Sequence, residues 1–302
     1  MKKFSRKFTF RFFSVAFFLI ILAQVNSGCF QFRMNKKEVA KYFKDKPVDA
    51  KVRQYKVEDR KINYAEVGKE LEPLIVFVHG APGSLSAFVH FLADSSLAAR
   101  ARMVSVDRPG YGYSNFGRSE KSVENQARYL KPLIEKNEGP VILVGHSLGG
   151  PVVARMAMDY PDLVDGLIMV APSIAPQLEP NEWFRGPLYT PFLRWVLPVA
   201  FRVTNDEIYF LEDELERMLP LWENITAKTV VIQGGADDLV HPENADFAKE
   251  QIVNAEVEVV FKEEMNHFVP WNNGHLIKNA IVGLLDSFQA TGGSSSDTNS
   301  LK

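Results

Sequence analysis

The stretch Val141–Pro151, VILVGHSLGGP, limits what this chain can become more than any other. Val141-Ile142-Leu143-Val144 runs without polar alternation, the pattern of a parallel strand covered on both faces. Gly145-His146-Ser147-Leu148-Gly149 follows at once, and then a helix-compatible segment, Leu148–Tyr160, stopped by Pro161. A strand and helix so close need a sharp turn with a strained central residue, and glycines two before and two after the serine let the elements approach. Ser147 then stands clear of the sheet beside the first N–H groups of a helix. Those groups lack intrahelical partners and carry partial positive charge suited to an oxyanion. A glycine-rich turn with a merely solvated serine is the plainer reading of G-x-S-x-G; the flanking strand and helix favour a nucleophile.

The strand–helix rhythm recurs along the chain. Val52–Glu58 and Ile62–Val67 alternate and read as an antiparallel hairpin around the polar Asp59-Arg60-Lys61. Leu74–Val78 is a second buried run, ending in His79-Gly80-Ala81-Pro82-Gly83. Ser86–Leu92 reads as a helix, and Met103–Val106 as a strand ending at Asp107-Arg108-Pro109-Gly110-Tyr111-Gly112. Ser122–Asn137 has helical spacing, with Ser122 as cap and Pro132 as a local objection. Val164–Val170 and Thr229–Gln233 are further strands; Glu243–Ile252, Val257–Phe261 and Leu276–Phe288 complete a helix–strand–helix ending. This alternation predicts an α/β fold, a mostly parallel central sheet with helices on both faces. With 302 residues, 46% of them hydrophobic, the chain can bury one large domain, placed at residues 51–290. Within it, residues 173–226 break the rhythm, with Pro176, Pro180, Pro187, Pro191 and Pro198 alternating with Trp183, Phe184, Tyr189, Phe192, Trp195 and Phe201. They are expected to form an inserted helical lid, because they leave the carboxyl end of a strand, where α/β sheets bind ligands. The aromatics read as the lining of an entrance for an apolar acyl or alcohol group, as a small helical core of their own, or as both, since a lid has an inside and an outside. The Gly/Ser-rich residues 291–302 are expected to be a disordered tail.

A serine at its free pKa is a poor nucleophile; it needs an imidazole to take its proton and a carboxylate to fix the imidazole's tautomer. Ser147, Asp237 and His267 each follow a strand of the expected sheet, in the order this architecture requires. Asp238 is the nearest rival to Asp237. Among the other histidines, His146 should point away from the side Ser147 faces. His241 lies too near the acid, His275 opens the last helix, and His90 sits in a helical stretch. An oxyanion hole needs a second backbone N–H besides that of Leu148. Pro82 has none and Ala81 is the choice in this loop, whose plainer reading is a Gly-Pro turn.

His-Gly-x-Pro-Gly at 79–83, Asp-Arg-Pro-Gly-x-Gly-x-Ser at Asp107–Ser114, Gly-His-Ser-x-Gly-Gly, Gly-x-x-Asp-x-x-Val at Gly234–Val240 and the late His267 appear in order. Together they resemble the α/β-hydrolase superfamily over Val52–Phe288. The resemblance implies a Ser147/Asp237/His267 triad with Ala81 and Leu148 as oxyanion donors, acting on a small-molecule acyl substrate, a carboxylic ester above all, without metal or organic cofactor. Haloalkane dehalogenases and epoxide hydrolases are similar in the first two motifs, but their nucleophile is an aspartate and the serine here excludes their chemistry. Proline iminopeptidases are similar in the 79–83 loop, so amide hydrolysis stays open. A ligand-binding sensor with slow or vestigial hydrolysis is the alternative from outside enzymology.

The formal charge of −2 and the lack of a long basic stripe give no reason to expect nucleic acid. Cys29 is the only cysteine, so no intrachain disulfide exists. Lys2, Lys3, Arg6, Lys7 and Arg11 precede the apolar Phe12–Ala23, and Ser27-Gly28-Cys29 follows. A basic start, a short apolar middle and small residues describe an export signal at residues 1–28. The arrangement resembles a bacterial lipoprotein signal, which implies lipidation of Cys29 and residence in the cell envelope; Asn26 stands where that pattern has an aliphatic residue. Residues 29–50, charged and without a strong apolar period over Gln31–Pro47, are expected to be a tether with room for one short helix. An uncleaved anchor and an ordinary secretory signal are the alternatives. The leader takes five basic residues and no acidic one, so the body leans acidic and membrane attachment should come from the N-terminus. On oligomeric state the sequence is silent.

Overall fold

A computed structural model of the chain describes residues 32–68 and 73–294. In chain order its elements are α1 (Lys36–Phe43), β1 (Lys51–Val57), β2 (Arg60–Val67), β3 (Leu74–Val78), α2 (Val89–Leu92), α3 (Ser95–Ala98), β4 (Arg102–Val106), α4 (Val123–Leu130), β5 (Val141–His146) and α5 (Gly149–Asp159). There follow β6 (Gly166–Val170), α6 (Arg185–Tyr189), α7 (Val199–Tyr209), α8 (Leu211–Met218), β7 (Lys228–Gly234), α9 (Asn244–Gln251), β8 (Val257–Lys262), α10 (Val269–Asn272) and α11 (Gly274–Ser294). The leader and Cys29 lie outside the described residues. None of the described helices is long and apolar enough to cross a membrane.

One sheet runs in the order β1-β2-β4-β3-β5-β6-β7-β8. The β1–β2 and β2–β4 pairs are antiparallel and the rest parallel. β3 shows why the parallel strands read as unbroken apolar runs. Ile75 and Phe77 enter one buried layer while Leu74, Val76 and Val78 enter the other, so period-two alternation serves two cores at once. The Ile75 layer is closed by α1, α2, α3 and α11 through Val39, Phe91, Leu97 and Ile277. The Leu74 layer is closed by α4, α5, α8 and α9 through Leu130, Val153, Leu215 and Phe247. The strand order reverses around β3, where β4 lies on one side and β5 on the other, and ligand crevices form at such points.

Several expected boundaries shift for local reasons. The hairpin turn is Glu58–Asp59, with Arg60 and Lys61 already in β2. The helix expected over Ser122–Asn137 stops at Leu130 and passes into a tight 3₁₀ turn, Lys131–Leu133, because Pro132 has no N–H to continue it. The short helix allowed for in the tether is α1. Asn35 caps α1 by accepting from the Lys37 and Glu38 N–H groups at 2.8 and 3.0 Å, while Glu38 accepts from the Asn35 N–H at 2.7 Å. Val39 and Phe43 are buried against the body. At the other end α11 carries on to Ser294, four residues into the expected tail.

The insertion is helical, and its aromatics divide between two sides. Tyr189 stacks on Tyr209 with ring centroids 5.2 Å apart, whereas Trp183, Phe192 and Trp195 face outward.

Candidate active site

Ser147 occupies the first turn after β5 with φ at +52°, a left-handed conformation that costs a non-glycine residue about 1–2 kcal/mol. The turn is held on both sides. The Ser147 N–H donates to the Val170 carbonyl at 2.9 Å, and its own carbonyl accepts from the Gly150 N–H at 2.8 Å. The glycines are required by space. A Cβ on Gly145 would stand 2.4 Å from the Gly149 carbonyl oxygen, and one on Gly149 would stand 2.2 Å from that of Val78. A Cβ on Gly80 would stand 2.8 Å from the Ser147 Cβ. The loop after β3 is thus pressed against the serine turn.

His267 and Asp237 come from loops that are stitched together. Gly234 leaves no room for a side chain, since its Cβ would fall 1.9 Å from the Met265 carbonyl oxygen. The Gly235 N–H donates to Lys262 at 2.9 Å and the Ala236 N–H to Met265 at 3.1 Å. His267 Nδ1–H then donates to Asp237 Oδ2 at 2.9 Å. Asp237 Oδ1 accepts from the Leu239 and Val240 N–H groups, each at 2.9 Å. Burial pushes the Asp237 carboxyl up, but the hydrogen bonds from His267 and those two amides more than reverse it, and its pKa lies below the ordinary value.

Ser147, Asp237, His267, Ala81 and Leu148 all line one cavity of about 540 Å³. Among the described residues, neither the Ala81 nor the Leu148 N–H donates to another protein group. Asp238 lies on the same wall, but the bond to His267 belongs to Asp237. His241 is also on the wall and exposed; His275 is exposed on α11, and His90 meets the Pro270 carbonyl at 2.9 Å. The lid contributes Ser173, Glu179, Pro180, Glu182, Arg185 and Ile208 to the lining and none of its aromatics. The aromatic entrance expected from the sequence is therefore replaced by one of mixed polar and apolar character. Among the described residues no group of His, Cys, Asp and Glu could hold a metal ion.

Sequence reasoning assigned no role to several residues around this site. His146 is absent from the cavity lining, and its Nε2–H donates to the His267 carbonyl at 3.0 Å, with the two rings 4.8 Å apart. Burial above all lowers its pKa to about 3, so it is neutral. Asp107 is fully buried and fastens the loop after β4. Its Oδ1 accepts from the Leu85 N–H at 2.7 Å, and its Oδ2 from the Tyr113 N–H and the Asn63 amide, both at 2.8 Å. Burial raises it to about 6 despite those bonds. Arg108 next to it donates through Nε to the His79 carbonyl at 2.8 Å, and its N–H meets His79 Nε2 at 3.0 Å. The Asp-Arg-Pro-Gly motif was the available signal, but nothing local in it names partners.

A family profile describing the α/β hydrolase fold matches residues 73–200, and the sheet order and the serine turn agree with it. The chain has the α/β-hydrolase fold. Among solved structures this hydrolase fold aligns with a putative lipase from Acinetobacter baumannii AYE at a TM-score of 0.65 and 21% identity, covering 85% of this chain and 97% of that one. A proline iminopeptidase of Pestalotiopsis fici is 25% identical over 270 residues, covering 72% of this chain and 92% of its own. A probable 1-acylglycerol-3-phosphate O-acyltransferase of Oryza sativa subsp. japonica is 34% identical over 111 residues. The match spans only 26% of that plant protein, and 35% of this chain.

Proposed function

We propose that this α/β hydrolase cleaves a carboxylic ester or related acyl bond through an acyl-serine. Ser147 Oγ attacks the carbonyl carbon while His267 Nε2 takes its proton. The oxyanion is received by the Ala81 and Leu148 N–H groups, and His267 returns the proton to the departing alcohol. Water then attacks the acyl-serine, with His267 again as base, and releases the acid. Asp237 keeps the His267 proton on Nδ1, so that Nε2 is free to accept. The observation that carries this reading is the 2.9 Å bond between His267 and Asp237 on the wall of the cavity that holds the Ser147 turn.

Amide cleavage at an amino terminus is the second reading. Glu179 on the cavity wall suits a substrate ammonium, and a named iminopeptidase aligns over most of this chain. For the N-terminus, the lipoprotein-like leader supports export and lipid attachment at Cys29 in a bacterial envelope.

The deciding experiment is a fluorophosphonate probe with turnover of p-nitrophenyl esters and aminoacyl p-nitroanilides. Wild type is expected to label once and turn over esters many times; Ser147→Ala is expected to lose both, with kcat down by about 10⁶. Labelling elsewhere or not at all would overturn the nucleophile. A single stoichiometric burst would make the protein a sensor, and anilide turnover exceeding ester turnover would favour the amide reading.

A further inference from the structure

The lid presents an apolar face that the proposed chemistry does not use. From Asn181 to Val199 no residue is buried, yet Trp183, Phe192 and Trp195 lie in this stretch with 83%, 80% and 62% of their surface exposed. Phe184 and Leu193 add to it. Single exposed apolar residues are ordinary, but five within thirteen positions are a surface seeking a partner. The charges in the stretch are already answered, Glu182 by Arg185 and Arg194 by Asp206. What remains outward is aromatic and close to neutral, and tryptophan on a neutral face is the composition of a protein belt at the level of lipid headgroups.

The chain enters the body beside this face. The Phe32 ring packs edge-on against Phe201 of α7, with centroids 5.7 Å apart. The Arg33 guanidinium lies over the rings of Tyr113 and Phe116 at 5.2 and 4.8 Å. The apolar run Phe12–Ala23 ends nine residues before Phe32, a length that spans about 30 Å at full extension, and an acyl group on Cys29 would sit within about 10 Å. A bilayer holding either anchor lies within reach of the lid.

We propose that the 181–199 face of the lid rests on a zwitterionic phospholipid bilayer, with Trp183, Phe192 and Trp195 among the headgroups and the cavity beside them. This inference rests on the N-terminal attachment proposed above. Trp183 stands in sequence between Glu182 and Arg185, both of which line the cavity, so the same short segment has one side toward the chemistry and the other toward lipid.

The test uses the full chain on phosphatidylcholine vesicles carrying bromine near the headgroup or deep in the acyl chain, read by tryptophan quenching. The expected result is co-sedimentation with vesicles and strong quenching by shallow bromine, reduced at least about twofold in Trp183→Phe/Trp195→Phe and retained in Trp271→Phe. Turnover of a water-soluble ester is expected to stay unchanged in Trp183→Ser/Phe192→Ser/Trp195→Ser, which reports that the variant folds. Co-sedimentation without quenching at Trp183 and Trp195 would overturn the docking face and leave the anchor standing. Failure to sediment at all would remove the anchor and the proposal with it. An oligomer in detergent that the triple variant converts to monomer would give the face to a second copy of this chain and overturn the bilayer.

Discussion

Arg108 and Glu207 meet as an ion pair 3.0 Å apart with their side chains 1% and 5% exposed. One follows β4; the other lies on α7 of the lid. Arg108 also holds the His79 carbonyl, two residues before Ala81, so a lid helix and the loop expected to supply an oxyanion donor share one buried cation. Burial raises the Glu207 carboxyl, Arg108 opposes that, and the Tyr111 hydroxyl donates to it at 2.8 Å. A buried pair stabilises little against an apolar substitute, but losing one partner strands the other. Glu207→Ala is therefore expected to cost about 3–5 kcal/mol in urea unfolding. Arg108→Met/Glu207→Leu should recover much of that loss.

Asp237→Asn is expected to keep the fold and lose about 10⁴ in kcat. The asparagine oxygen would retain the Leu239 and Val240 N–H groups, which turns its NH₂ toward His267 Nδ1. The ring must then carry its proton on Nε2, where it cannot accept one from Ser147. An unchanged kcat would remove Asp237 from the mechanism.

Gly149→Ala is expected to disrupt the site more than its single methyl suggests. The new carbon would overlap the Val78 and His79 carbonyl oxygens, at 2.2 and 2.8 Å, and both are backbone, so the loop after β3 must move. Overpacking of this kind costs about 1–3 kcal/mol or more. Thermal unfolding should show the loss, and ester turnover should fall with it, since the same shift displaces Ala81.

Acid sensitivity should carry the signature of His146. In the unfolded chain its ring protonates as pH falls below about 6.5, while in the folded protein burial delays this to about 3. The unfolded state then binds more protons, and stability falls with pH at about 1.4 kcal/mol per unit over that window, or about 2 kcal/mol between pH 6.5 and 5. Asp107, raised to about 6, has the opposite slope: its contribution is present in acid and lost as pH rises through that value. The clean measurement is thus the difference between wild type and His146→Gln across pH 5–7, where the variant's curve should be the flatter.

The parts of the site that could be read in the sequence are those whose constraints are local. Ser147 was legible because a two-residue spacing of glycines records the lack of room around it, and β3, β5, β6 and β7 because strands covered on both faces are continuous apolar runs. α1 was legible only as a short helix allowed within a tether, since only Val39 and Phe43 mark its inner side. The Arg108–Glu207 pair joins residues 99 apart, and a glutamate in a charged helical segment ordinarily faces water. The direction of the lid aromatics was not legible either. Prolines break the period there, and without a period composition does not say which side of a segment a ring will take.

The lid leaves the sheet after β6 and returns at β7, and these two strands are hydrogen-bonded neighbours. Because the two strands are parallel, with Gly166 opposite Lys228 and Val170 opposite Ile232, the segment departs from one edge of the sheet and must come back at the other, about 13 Å away along the strands. No hairpin can make that passage; a parallel connection needs a dozen or more residues. Trimming is therefore open to the lid only while enough chain remains to carry it over, and a cut below that length would cost the β6–β7 pairing itself.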